Sequence, residues 1–85
     1  MELSGANIRE LDLSSNAIQA EGAEALSRYL KTNDTLTGLN LYSNDVSDLG
    51  AEKIAEAIAD NKTLENLDIG GNNIHFYGAE ASIRR

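Results

Sequence analysis

The sequence predicts an α/β solenoid, with parallel strands along one side and helices along the other. Two observations carry that expectation. The chain of 85 residues repeats itself at an offset of 28. Within each repeat a short strand pattern gives way to a helix pattern, and a strand–helix unit that returns to a parallel strand makes a right-handed crossover.

The repeat is legible position by position. Ile8 falls on Leu36 and Leu64, Leu11 on Leu39 and Leu67, and Leu13 on Leu41 and Ile69. Asn16 falls on Asn44 and Asn72, and Ile18 on Val46 and Ile74. Gly22-Ala23 meets Gly50-Ala51 and Gly78-Ala79, while Leu26 meets Ile54, Leu30 meets Ile58, Asn33 meets Asn61 and Thr35 meets Thr63. The positions that differ are mostly polar, which is how a repeat drifts when only its buried face is constrained. One domain spans 1–85: a stub 1–7, complete units 8–35 and 36–63, and a truncated unit 64–85.

Each element follows from local pattern. Leu11-Asp12-Leu13, Leu39-Asn40-Leu41 and Leu67-Asp68-Ile69 alternate apolar and polar residues, the period of a half-buried strand. In the second unit Ala51, Ile54, Ala55 and Ile58 form an apolar stripe at helical spacing, predicting a helix over about 48–60. Ala23, Leu26 and Leu30 do the same in the first unit, with Tyr29 at the border. Ser47 or Asp48 suits an N-cap, and Asn33 and Asn61 stand where a left-handed residue ends a helix. Gly22, Gly50 and Gly78 read as positions needing a special backbone geometry at helix entry.

Leu36-Thr37-Gly38-Leu39-Asn40-Leu41-Tyr42-Ser43-Asn44-Asp45-Val46 resembles the leucine-rich repeat, and the Gly-Ala helix opening with the 28-residue period is similar to its ribonuclease-inhibitor-like subclass. Ile8 to Ile18 and Leu64 to Ile74 carry the same motif with conservative changes. The resemblance covers 8–81 and implies a short horseshoe segment that binds other proteins, often along its concave sheet, without specifying a partner. In that family the asparagines at Asn16, Asn44 and Asn72 form a structural ladder. Their amides have the donors and acceptors to serve backbone groups of adjacent coils where the strand ends.

Composition narrows the function. Hydrophobic residues make up 41% and charged residues 25%, a globular balance, and 14 carboxylates against 7 cations leave a net charge of −7. That excess repels phosphate backbones and anionic lipid, so neither nucleic acid nor membrane is an expected partner, whereas a basic protein surface is attracted. No apolar run approaches the roughly 18 residues of a spanning helix, and Met1-Glu2-Leu3-Ser4 opens no signal peptide. Without cysteine the chain suits a reducing compartment, and a cytoplasmic location is expected.

No catalytic constellation is recognisable. His75 is the sole histidine and has no cysteine nucleophile to serve, and the carboxylates are too scattered for a metal site, so neither enzymatic activity nor a cofactor is expected. Gly70-Gly71 lacks a following Lys-Ser/Thr and reads as two exposed strand-end positions, not a phosphate cradle. Asn33-Asp34-Thr35 and Asn61-Lys62-Thr63 match the glycosylation sequon, but both fall at one repeat position in a helix-to-strand turn, where a structural use is preferred.

Recognition is expected on the concave face. Arg9, Glu10, Asp12 and Ser14 flank the first strand, Thr37, Gly38, Asn40 and Tyr42 the second, and Glu65, Asn66, Asp68 and Gly70 the third. Stacking aligns Asp12, Asn40 and Asp68 about 4.8 Å apart, an acidic stripe with Tyr42 as an aromatic anchor. The alternative is a structural or self-assembling subunit, or a piece of a longer array, whose solenoid ends make the contacts. A repeat array buries each unit on its neighbours. Both flanks are therefore expected to expose core leucines and free sheet edges, and the last helix, with Ser82 in the slot of Leu26 and Ile54, to be short and weak.

Overall fold

The computed structural model describes residues 8–75 and the backbone of 83–84. Three strands, β1 (Glu10–Asp12), β2 (Gly38–Asn40) and β3 (Asn66–Asp68), alternate with two helices, α1 (Gln19–Thr32) and α2 (Ser47–Asp60), and β4 (Ile83–Arg84) follows. The first three strands are parallel in the register of the repeat: Glu10, Gly38 and Asn66 are aligned, as are Leu11, Leu39 and Leu67, and Asp12, Asn40 and Asp68. A leucine at the centre of each strand turns toward the helices, and its two neighbours turn to the opposite face. The result is an open sheet with the two helices packed side by side behind it.

Burial grades along the stack. In the second coil Leu36, Leu39, Leu41 and Val46 are at most 3% exposed, whereas Ile8, Leu11, Leu13 and Ile18, their counterparts in the first coil, are only partly buried. The middle coil has a neighbour on each side, and each large aliphatic that both neighbours cover adds roughly 1.5–3 kcal/mol. At the other end the expectation of a free edge is corrected. β4 runs antiparallel along β3, placing Arg84 opposite Asn66 and Ile83 opposite Leu67, so the sheet is mixed and its last parallel strand is covered. Among the described residues no strand pairs with the outer edge of β1. The third Gly-Ala pair and Ser82 lie outside the described residues.

Where each strand ends, the backbone is held by asparagine side chains from the same coil and the next one. Asn44 Oδ1 accepts from the amides of Asn16 (2.8 Å) and Ile18 (3.4 Å) in the preceding coil. Its Nδ2 donates to Leu13 O (2.8 Å), Leu41 O (3.0 Å) and Tyr42 O (3.4 Å). Asn72 repeats this one coil on, accepting from Asn44 N (2.8 Å) and Val46 N (3.2 Å) and donating to Leu41 O, Ile69 O and Gly70 O. Asn44 and Asn72 are buried, while Asn16 is exposed and, among the described residues, its Nδ2 bonds only Leu13 O and Ser14 O of its own coil.

These bonds also explain why helix entry differs from the local expectation. Ile18 and Val46, not Ser47 or Asp48, hold the N-cap positions, and neither makes a side-chain cap. The acceptors come from across the stack: Gln19 N donates to Asn44 O (2.8 Å) and Ser47 N to Asn72 O (3.0 Å). The chain reaches this geometry through alternate left-handed residues, Ser15, Ala17 and Gln19 in the first coil and Ser43, Asp45 and Ser47 in the second.

The helix exits carry a second pair of asparagines. Asn33 and Asn61 are extended (φ −69° and −90°), not left-handed as the helix-end pattern suggests. Their work is done by the side chain. Asn61 Oδ1 accepts from Thr63 N (2.9 Å) and Leu64 N (2.7 Å), while Nδ2 donates to Leu30 O (2.8 Å) and Asn33 O (3.1 Å) of the preceding coil. Asn33 Oδ1 likewise accepts from Thr35 N and Leu36 N. At 3% exposure the Asn61 amide has no room for a glycan.

The apolar stripe of α2 is rotated relative to its sequence pattern. Gly50, Ala51, Ile54, Ala57 and Ile58 are buried and Ala55 is exposed. The stripe turns toward α1 because Gly50 lets the two helices meet: a Cβ there would stand 3.0 Å from Ala23 Cβ and 3.4 Å from Ala20 Cα of α1, and 2.9 Å from Val46 Cβ. Gly22 in the first coil is likewise tight, against the Ile18 side chain. Close approach, not backbone dihedral, is what these positions require.

Two substitutions check this account by denaturant unfolding. Asn44→Ala strands buried carbonyls and amides of two coils and is expected to cost about 2–4 kcal/mol, against less than about 1 kcal/mol for the exposed Asn16→Ala. Gly50→Ala raises helix propensity by about 1 kcal/mol. The buried clash with Val46 and with α1 costs about 1–3 kcal/mol, so net destabilisation is expected.

Candidate protein-binding face

The sheet face turned away from the helices is made of three rows that cross the strands. Glu10, Gly38 and Asn66 form the first and Asp12, Asn40 and Asp68 the second, as the strand register dictates. Ser14, Tyr42 and Gly70 follow at the strand ends. The residues on this side are exposed or only half-buried, in contrast to the leucines between them. Arg9, Thr37 and Glu65 belong to the other parity and sit at the strand entries. There Arg9 O accepts from Thr37 N (2.7 Å), Gly38 N (2.9 Å) and Thr37 Oγ1 (3.1 Å). Thr37 is therefore tied into the coil joint, while the Arg9 and Glu65 side chains are exposed.

The second row is built alike in all three coils. Asp12 Oδ1 accepts from Ser14 N, Asn40 Oδ1 from Tyr42 N and Asp68 Oδ1 from Gly70 N, each at 2.9 Å. Each side chain closes a turn onto the amide two residues on, so one oxygen of each of these side chains serves the fold. The hydroxyl of Ser14, and then its amide, hold the Asp12 carboxyl below its ordinary value of 3.8. Glu10 lies across its neighbouring coil, with its Cγ 3.3 Å from the point where a Gly38 Cβ would stand.

Tyr42 is 51% exposed and is the one aromatic side chain of the face among the described residues. Its ring covers the third coil's glycine pair: Cδ1 and Cε1 lie 3.3 and 3.4 Å from the position of a Gly70 Cβ, and Cε1 and Cζ both 3.4 Å from that of Gly71. Gly70 is thus half-buried, not exposed, and Gly71 supplies a left-handed turn (φ +66°) at the position where Ser15 and Ser43 adopt it with a side chain. The sequence pattern missed this contact because nothing in a single coil shows which side chain leans onto the next.

Outside the face, His75 is exposed. Its amide donates to Asp48 Oδ1 (2.6 Å), and its ring Nδ1 stands 3.9 Å from Asp48 Oδ2. Asn73 Nδ2 donates to Asp45 Oδ1 (2.6 Å) in the same loop row. Among the described residues no three His, Cys, Asp or Glu side chains converge as metal ligands, and no helix is long and apolar enough to cross a membrane.

A family model described as Leucine Rich repeat matches three consecutive stretches, 6–27, 32–55 and 60–81, in step with the coils of the structure. The chain belongs to the leucine-rich-repeat family. No individual curated protein matches the sequence significantly. Leucine-rich repeats generally mediate protein–protein interaction and are typically non-catalytic.

The lowered Asp12 carboxyl gives a pH signature of this leucine-rich-repeat face. A group held below its ordinary value stabilises the fold above that value and loses the contribution as pH falls through the lowered one. Carboxyl-detected NMR is expected to place the Asp12 titration below 3.8, and Ser14→Ala is expected to move it upward. An Asp12 midpoint unchanged by Ser14→Ala contradicts this assignment.

Proposed function

We propose that the chain is a non-catalytic binding module that engages a protein partner with a basic surface through the concave sheet face. The observation that carries the reading is the composition of the three rows. Glu10, Asp12 and Asp68 bring carboxylates to one solvent-facing side, Tyr42 stands among them half exposed, and the apolar residues of the strands turn the other way. Such a face attracts cations and carries an aromatic of the kind that dominates interface energetics. The net charge of −7 steers the same class of partner. Arg9, Thr37, Glu65 and Asn66 frame the face at the strand entries and on the first row. The 28-residue unit with a 14-residue helix in each complete coil supports the ribonuclease-inhibitor-like subclass. The absence of cysteine accords with a reducing compartment such as the cytoplasm.

The alternative, contacts through the solenoid ends with a second copy of the chain, is favoured by one observation. The apolar residues of the first coil are less buried than those of the second, and no described strand pairs with the outer edge of β1.

Charge reversal separates the two faces. Proteins retained by the immobilised chain are compared with those retained by Glu10→Arg/Asn66→Arg on the sheet side and by Glu24→Arg/Glu52→Arg on the exposed helix side. The sheet-face reading predicts at least about tenfold weaker retention for the first variant, from lost attraction and added repulsion, and unchanged retention for the second. The reverse pattern contradicts it, and concentration-dependent sedimentation of the chain alone supports contact through the ends.

A further inference from the structure

The outer side of the helix layer departs from the repeat at residue 49. Leu49 of α2 is 58% exposed, and the first coil has Glu21 at the same place in α1. Among the described residues only Tyr42, on the sheet face, is a comparably exposed large apolar side chain. Leu49 does not stand on a flat surface. With Ala20, Glu21 and Glu24 of α1 and Lys53 of α2 it lines a shallow hollow of about 350 Å³, open to solvent on one side.

The two walls of the hollow carry opposite charge. Glu21 and Glu24 stand on one helix and Lys53 on the other. Glu21 and Lys53 form no ion pair among the described residues. The Glu24–Arg28 contact, 3.9 Å long between two exposed side chains, holds little. The helices run side by side in the same direction. Gly50 of α2 lies against Ala20 and Ala23 of α1, the turn that contains its own equivalent, Gly22.

We propose that this patch takes a second copy of the chain, about a two-fold axis parallel to the helices. A two-fold interface uses the same patch twice, so the patch must complement itself. This one holds an apolar knob, a hollow and both signs of charge. Rotation about such an axis lays α2 of each copy over α1 of the other. Leu49 then enters the second copy's hollow beside Ala20. Lys53, level with Ala25 of α1, comes opposite the second copy's Glu24, with Glu21 one turn away. Each contact occurs twice. A uniformly basic partner, the class drawn to the sheet face, meets Lys53 here and is disfavoured. The net charge of −7 on each copy opposes the approach. One leucine and a few charges per copy place the contact among the weak, transient interfaces. Both sheet faces point away from the axis and stay free, so the proposal stands apart from the sheet-face reading.

The test is sedimentation equilibrium of the whole chain from micromolar to millimolar concentration. Physiological salt screens repulsion between the chains beyond about 8 Å. A reversible dimer is expected at the upper end of that range. Leu49→Glu installs the residue type that the first coil carries there and is expected to weaken association at least about tenfold, since each copy loses the burial of a leucine. Glu21→Lys/Glu24→Lys and Lys53→Glu each set like charges against one another and are expected to weaken it by a similar factor, about tenfold. An equimolar mixture of those two variants restores opposite signs at both contacts and is expected to associate at least as strongly as the natural chain. The substituted side chains are exposed or half-buried, and unchanged thermal unfolding shows that the variants fold. A chain still monomeric at millimolar concentration overturns the proposal. So does association indifferent to Leu49→Glu, which places the contact at the solenoid ends, or a mixture no more associated than its components. Each of these outcomes leaves the sheet-face reading standing.

Discussion

The structure depends on satisfying backbone polar groups at the corners of each coil. A strand of three residues uses few ladder bonds, and the chain must then turn within a stack too tight to admit solvent on both sides. A buried amide or carbonyl left without a partner costs about 1–3 kcal/mol, and each coil has several at its strand end. Asn44 and Asn72 meet that demand with one side chain each. A single Oδ1 takes two amides of the preceding coil, and a single Nδ2 reaches carbonyls of both coils. Leucine burial drives the coils together, but it does not fix their offset. The asparagines do, because their bonds form only when the coils are in register.

That constraint explains features which look unfavourable in isolation. Left-handed conformations at Ser15, Ala17, Gln19, Ser43, Asp45 and Ser47 each cost about 1–2 kcal/mol. They aim alternate amides at the neighbouring coil, and the bonds formed there offset the strain. Helix entry without a side-chain cap has the same origin, since Gln19 and Ser47 donate to Asn44 and Asn72 carbonyls of the next coil. Asn33 and Asn61 hold the opposite corner, so each coil is pinned where it leaves the sheet and where it returns. On the proposed sheet-face reading this order serves binding: fixed rows present Glu10, Asp12, Asp68 and Tyr42 at set spacings, which lowers the ordering entropy lost when a partner docks.

What was legible in the sequence is what recurs at 28 residues. Leu11, Leu39 and Leu67 predicted three parallel strands and their register, and the structure pairs those leucines directly. Ala23, Leu26 and Leu30 located the face of α1. What was not legible lies between coils or outside the repeat. Ala57 replaces Ala55 in the buried stripe because Gly50 draws α2 toward α1, a contact that a helical wheel of one segment does not contain. Val46 sits at the cap position because its acceptor lies in the next coil. β4 departs from the pattern altogether: it has no counterpart at the 28-residue offset, and its antiparallel pairing covers an edge that the repeat alone leaves open. On the face, the residues of all three rows were readable from strand alternation. The contact of Tyr42 with Gly70 and Gly71 was not, because it depends on how a side chain leans across the joint.

The central claim is that asparagine side chains, no less than strand ladders, bind the coils into one cooperative unit. Native-state hydrogen exchange tests it most directly. The amides of Asn44 and Val46, accepted by Asn72 Oδ1, are predicted to be as protected as Leu41 N, which bonds Asp68 O across the sheet, and to exchange only with global unfolding. Exchange of Asn44 and Val46 at the rate of exposed loop amides, with Leu41 still protected, would contradict the claim.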